Sequence, residues 1–138
     1  MSSSYSALAE FRFQIRRFLH FSEQASVSHG LEPQQHQLML AVKGLPEDRR
    51  PTIRAIADRL LIAHHSAIGL VQRMEKLGVV RRRPSEDDRR EVLVELTAYG
   101  ERVLKKLSDV HEQELQVMGP ELIRALQSVM KAESRRAS

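Results

Sequence analysis

Apolar residues recur at helical spacing from residue 7 to about residue 28. Leu8, Phe11, Ile15, Phe18 and Leu19 share one face, and Phe13 and Phe21 widen it. Gly30 suits the position just past the end of such a helix, where a left-handed backbone is wanted. Pro33, tolerated in a first helical turn, opens a second helix that runs through Leu38, Met39 and Val42 to about Lys43. GLPEDRRP, residues 44–51, has the glycine, proline and charge content of a connecting loop. Thr52 then offers an N-cap for a short helix with Ile53, Ile56, Ala57 and Leu60 facing inward. A turn over residues 61–63 leads into HHSAIGLVQRMEKLG. There Ala67, Leu70, Val71, Met74 and Leu77 form one stripe, and Gly78 closes the helix.

The period then changes from helical to alternating. Residues 79–83 form one short strand and residues 91–96 another, with Val92, Val94 and Leu96 on one face and Glu91, Leu93 and Glu95 on the other. The seven residues from Pro84 to Arg90 are too many for a tight two-residue turn, so the hairpin tip projects. Thr97 caps a long final helical region carrying Val103, Leu104, Leu107, Val110 and Leu115. Gly119-Pro120 is expected to interrupt it before Leu122, Ile123, Leu126, Val129 and Met130 resume the stripe, and the polar tail KAESRRAS to fray. Two compact helices joined by a turn and followed directly by a hairpin predict a winged helix-turn-helix, a more specific signal than either part. The fold class is mainly α with a small β-hairpin. One domain is expected over residues 1–138, with a winged core at 31–97 and dimerisation helices at 5–30 and 98–135. The end helices carry more apolar surface than so small a core can cover, and two copies of the chain burying these faces together is the economical solution.

Charge sharpens this picture. The net +4 is modest, yet residues 49–90 hold eleven Lys and Arg against five Asp and Glu, a balance of +6 that leaves the remainder at −2. Arg81, Arg82, Arg83, Arg89 and Arg90 crowd ten residues on and around the hairpin loop, where they repel one another. Negative charge from outside the chain, as on a nucleic acid, would relieve that repulsion. The absence of cysteine removes disulfides and thiolate metal sites, and no apolar run approaches the roughly 20 residues that span a bilayer. The N-terminus lacks a signal-peptide pattern, so a cytoplasmic location is expected. No glycine-rich phosphate loop, H-E-x-x-H or nucleophile elbow occurs, which argues against an enzyme. The adjacent His64 and His65 point about 100° apart on a helix, and the remaining histidines are scattered, so neither a metal site nor a cofactor is expected.

With these elements in place, the chain resembles the MarR (multiple antibiotic resistance regulator) family from about Leu8 to Met130. DDRREVLVELTAYG carries the D-R-R-x-V-L-V-x-L-T-x-x-G pattern from Asp88 to Gly100. MEKLGVVRRR resembles L-x-x-x-G-V-V-x-R, IRAIADRL the A-x-x-L of the first reading helix, and GLEPQQHQLML the G-L-T-x-x-Q-x-x-x-L opening. The recognition helix departs from the pattern, with AHHSAIGLV where S-P-S-T-V-T-R-L-V is common. Ala63 replaces a capping serine, a loss of about 1 kcal/mol.

The resemblance implies a homodimer on a near-palindromic double-stranded DNA operator, with recognition helices roughly 34–36 Å apart. It also implies a transcriptional repressor released by a small aromatic or phenolic effector. Residues off the apolar stripe are then free to meet DNA: His64, His65, Ser66, Ile68, Gly69, Gln72 and Arg73. Gln72 suits adenine, Ile68 a thymine methyl and Arg73 a phosphate, while Gly69 allows close approach of the backbone. Arg90 is the principal wing residue for the minor groove, Arg89 and Arg83 add phosphate contacts, and Asp88 is expected to fix the loop by pairing with an arginine. Candidate effector contacts are Arg16, Arg17, His20, Phe21 and His36. A winged module that binds protein or RNA is the alternative.

Overall fold

The structure, a computed structural model, describes the backbone of residues 4–137 and the side chains through residue 131. The elements run α1 (Ser4–Ser28), α2 (Pro33–Lys43), α3 (Ile53–Leu60), α4 (His64–Leu77), β1 (Val80–Pro84), β2 (Val92–Leu96) and α5 (Ala98–Ala137). The chain divides into two compact units: described residues up to Ala25 together with those from Ser108 onward, and Ser26–Leu107.

In the second unit, local chemistry fixes the ends of the helices. Thr52 Oγ1 accepts the Ala55 N–H at 3.1 Å and caps α3. Two left-handed glycines close helices by the same pair of bonds. The Gly30 and Leu31 N–H groups return to the Val27 and Ser26 carbonyls, and the Gly78 and Val79 N–H groups to those of Glu75 and Met74. Leu61 makes the same closure after α3 at φ 57°, although it has a side chain and is 91% exposed. Helical periodicity selects much of the buried core, including Leu38, Met39, Ile56, Ala67, Leu70, Val71 and Met74. Val42, Ile53 and Leu60 are only partly buried, whereas Ala55, Gln35 and His36 join the core without having been picked out for it.

β1 and β2 pair antiparallel with Val80 opposite Leu96 and Pro84 opposite Val92. A short third segment joins them. Thr52 bridges Leu93, and the Val94 N–H donates to the Pro51 carbonyl at 2.9 Å. This clamp alters the expected alternation: Leu93 is buried beside Val94 and Leu96, whereas Val92 near the open end is exposed. Leu77 is also exposed rather than part of the core, since α4 ends there. Thr97 Oγ1 accepts the Gly100 N–H at 3.0 Å and donates to the Gly78 carbonyl at 2.6 Å, tying the start of α5 to the end of α4.

α5 continues without interruption through Gly119 and Pro120 to Ala137, against the expected break. A proline deletes one N–H bond and crowds a single carbonyl, a cost that favourable flanking turns in a helix of 40 residues can absorb. In the first unit, α1 meets the later part of α5. Phe18 and Phe21 place their rings edge-on to His111, His111 Nε2 lies 2.8 Å from Ser22 Oγ, and Arg17 pairs with Glu121 at 3.4 Å. Gln14 is buried in the same contact. Much of the apolar stripe nevertheless stays open: Leu8, Phe13 and Leu19 on α1, and Val117, Ile123, Leu126 and Met130 on α5.

Candidate nucleic-acid interface

Ala63, at the N-cap position before α4, has extended backbone angles but no side chain to cap the helix, so the first N–H groups of α4 remain available to an anion. His64, His65, Ser66, Gln72 and Arg73 are exposed along it, and Ile68 and Gly69 are half-buried. A β-carbon at Gly69 would sit 3.5 Å from the Arg73 guanidinium, an ordinary contact, so nothing within the chain forbids a side chain there. The helix therefore presents the polar face that the sequence pattern assigned to it, backed by Ala67, Leu70, Val71 and Met74.

The arginines of the hairpin divide into two groups. Those on β1 have partners within the chain. Arg81 Nε lies 2.6 Å from Glu95 Oε1, Arg83 Nε 2.9 Å from Glu95 Oε2, and Arg82, pointing to the other face, 2.8 Å from Glu75 Oε1. Strand alternation explains the split, because residues two apart share a face. The hydrogen bond from Arg81, followed by that from Arg83, holds the Glu95 carboxyl below the usual carboxylate range despite partial burial. The expectation that charge from outside the chain must balance this cluster is thereby corrected in part for β1: Glu75 and Glu95 offset two of its three positive charges. Arg89 and Arg90 on the exposed tip, like Arg54 on α3 and Arg73 on α4, form no ion pair among the described residues.

The tip is shaped by Asp88, which the sequence singled out, and by Asp87 and Arg50, which it did not. Asp88 does not pair with an arginine, as was expected of it. Its Oδ1 accepts the Arg90 N–H at 2.9 Å and its carbonyl accepts the Glu91 N–H at 3.0 Å, a compact side-chain turn. The arginine pairing belongs to Asp87, whose carboxylate lies 3.2 Å from Arg50. Arg50, in the loop before α3, also donates to Ser85 Oγ at 2.9 Å and reaches Glu91 Oε2 at 3.0 Å. Ser85 is buried and also accepts the backbone N–H groups of Asp87 and Asp88. Arg50 lies 35 residues before Ser85, and no local spacing links them; the run of charge in GLPEDRRP was the one visible signal. Thr52, Ile53, Arg54, His64, Arg90, Glu91 and Val92 line a cleft between the start of α4 and the hairpin.

The candidate effector residues fall in both units. Arg16 and His20 are exposed on α1, Arg17 is engaged by Glu121, and Phe21 packs on His111, all within the first unit. His36 belongs to the second unit, where its ring is buried 3.3 Å from Ser26 Oγ. Among the described residues, no three His, Asp or Glu side chains cluster as metal ligands would. No helix among them is long and apolar enough to cross a membrane.

A sequence profile described as the MarR family matches residues 29–91, which spans α2 to the hairpin tip. Curated protein sequences yield no match. Solved structures match over nearly the whole chain. A MarR family transcription regulator superposes at TM-score 0.75 with 18% identity, covering 95% of this chain and 87% of its own. AbsC, a MarR family transcriptional regulator from Streptomyces coelicolor, does so at 0.69 with 23% identity, covering 91% and 88%. MepR from S. aureus, in a complex with DNA, gives 0.70 with 18% identity, covering 99% and 96%. At such identities the structures establish the fold, and the profile adds a sequence likeness to the family over residues 29–91. Residues 29–91 carry the likeness to the MarR family, on a fold that the chain shares almost end to end with solved MarR family transcription regulators.

Proposed function

We propose that the protein is a sequence-specific, double-stranded-DNA-binding transcriptional regulator that acts as a homodimer and represses its target until a small effector releases it. The observation that carries this reading is the sorting of arginines. The three within the strand are each paired, sharing the two carboxylates of Glu75 and Glu95, while Arg89 and Arg90 at the tip, with Arg54 and Arg73 on the two helices, have no carboxylate partner among the described residues. Unpaired guanidinium groups on an exposed loop beside an uncapped helix start are suited to a polyanion. The crystallised complex of MepR with DNA supports the same use of this fold.

In this arrangement His64, His65, Ser66, Ile68, Gly69, Gln72 and Arg73 meet base edges and backbone in the major groove, and Arg90 enters the minor groove beside it. Arg89 and Arg83 lie against phosphates, Arg83 with Glu95 attached, and Asp88 shapes the loop behind them. The winged core at 31–97 reads the duplex, and helices over 5–30 and 98–135 pair the subunits. The protein works without catalysis, metal or cofactor, in the cytoplasm. Release would involve Arg16, Arg17, His20, Phe21 or His36, and a screen of aromatic acids that shifted neither melting temperature nor DNA affinity would remove that part alone.

The test is a mobility-shift titration on the DNA upstream of the chain's own coding sequence, repeated at several salt concentrations. If the dimer neutralises roughly six phosphates, log K should fall against log salt with a slope of about −5. Arg90→Ala should weaken binding by on the order of tenfold to a hundredfold, with modest loss of sequence preference. Salt-independent affinity, or equal binding to RNA, would remove the reading in favour of a winged module with another partner.

A further inference from the structure

Beyond the recognition helix and the wing arginines, the second unit contains a built cationic cleft in which two more residues have defined parts. Arg54 on α3, His64 at the start of α4 and Arg90 on the hairpin tip line it, with Thr52 and Val92 between them. Two of these groups are permanent cations, and the imidazole of His64 can donate a hydrogen bond in either protonation state. The uncapped first turn of α4 adds backbone N–H groups at the same place. A cleft of this composition suits one phosphate diester of a nucleic-acid backbone.

One feature opposes that use: Glu91, which also lines the cleft and directly follows Arg90. Left alone, its carboxylate would attract Arg90 or Arg54 and repel a phosphate. It is not left alone. Arg50, which is outside the cleft lining, lies 3.0 Å from Glu91 Oε2 with one guanidinium nitrogen and spans Ser85 Oγ and Asp87 with another. The contact is an ion pair without hydrogen-bond geometry: among the described residues Glu91 Oε2 is buried and accepts no hydrogen bond, so Arg50 acts on it by charge, while the Glu91 side chain as a whole is 35% exposed.

We propose that Arg54, His64 and Arg90 form a binding site for one backbone phosphate, and that Arg50 is a positioning residue that keeps it cationic by occupying Glu91 and anchoring the loop that carries Arg90. This rests on the DNA-binding reading above and adds to it a residue pair that acts through charge. Asp48 and Asp58 line a neighbouring groove with Arg50 and Arg54, so the cleft is the locally basic side of a mixed surface. The Arg50–Glu91 pair sets where that boundary falls.

The experiment measures DNA affinity by fluorescence anisotropy for the protein and four variants: Arg50→Gln, Glu91→Gln, the double variant and Arg54→Gln. The probe is a labelled duplex of about thirty base pairs, enough for two half-sites a helical turn apart, taken from upstream of the chain's own coding sequence. Arg50→Gln should weaken binding about tenfold, corresponding to about 1.4 kcal/mol. Glu91→Gln should not weaken it. The double variant should recover to within about threefold of the parent, because the carboxylate that Arg50 restrained is gone. Arg54→Gln, which touches none of the hairpin bonds, should reduce the salt slope by about two for a dimer that loses one phosphate contact per subunit.

Binding of Arg50→Gln within twofold of the parent would overturn the role of Arg50. So would a double variant as weak as Arg50→Gln, since loop anchoring alone would not be rescued by removing Glu91. An unchanged salt slope for Arg54→Gln would overturn the phosphate site even if Arg50→Gln failed to fold. Failure of the unmodified protein to bind any duplex would instead remove the DNA-binding reading itself.

Discussion

Gly100 shows how one residue can be fixed by a neighbour far from it in sequence. A β-carbon there would collide with the Val79 carbonyl oxygen, on rigid backbone that cannot step aside. The close approach lets the first turn of α5 lie across the end of α4, where Thr97 already bonds Gly78. Gly100→Ala should therefore cost about 3 kcal/mol, seen as a lower midpoint in urea or thermal unfolding. An unchanged midpoint would show that the two segments can separate freely. Leu61 is the opposite case, a left-handed residue with a side chain in the open, where glycine would be at ease. Its conformation is imposed by the bonds to Asp58 and Ala57 that close α3, because the turn between the two reading helices must be tight. Gly100 was visible in the sequence as the last residue of a motif, but its cause was not, since Val79 lies 21 positions earlier.

At the scale of elements, the hairpin owes its shape to ion pairs and to a third strand segment. Glu95 holds Arg81 and Arg83 in line along one face, so β1 presents its guanidinium groups in a fixed order. Because these bonds favour the charged carboxylate, its folded pKa lies below that of the unfolded chain. The stabilisation is therefore fully present above the ordinary carboxylate range and disappears as pH falls through the folded value. These pairs are largely exposed, so the effect is small, under about 1 kcal/mol. Melting temperatures of the protein and of Glu95→Gln should differ slightly near about pH 7 and converge as the pH falls below the ordinary carboxylate range. A difference that grew on acidification would contradict the assignment. Alternation predicted which arginines share a face. The burial of Leu93 was out of its reach, because Thr52 and Pro51 reach β2 from a distant loop.

At the scale of the whole molecule, the first unit leaves a stripe of large apolar residues uncovered. Val117 is 74% exposed, Met130 62% and Ile123 57%, on the same helix that buries Met118 and Ala125. At about 25 cal/mol per Å², exposure of this extent disfavours a lone chain in water, and a second copy offers the same stripe in return. Sedimentation should give twice the 15.8 kDa chain mass. The pair Ile123→Glu and Leu126→Glu should bring it to the single-chain mass, with most of the DNA affinity lost because one reading head remains. A protein that sediments as a single chain before substitution would exclude the homodimer.

The sequence by itself determined the order of helices and hairpin, the caps at Thr52, Gly30 and Gly78, and the polar face of α4. Each is a local matter of periodicity or backbone conformation. It could not show that α5 runs on through Pro120, since that depends on how well the flanking turns hold the helix. Nor could it divide the arginines into those already paired and those left for a partner. Tertiary structure decided that, because Glu75, Glu95 and Arg50 reach their partners only after distant segments have packed, and the electrostatic strength of such contacts depends on separation in space, to which position along the chain is a poor guide.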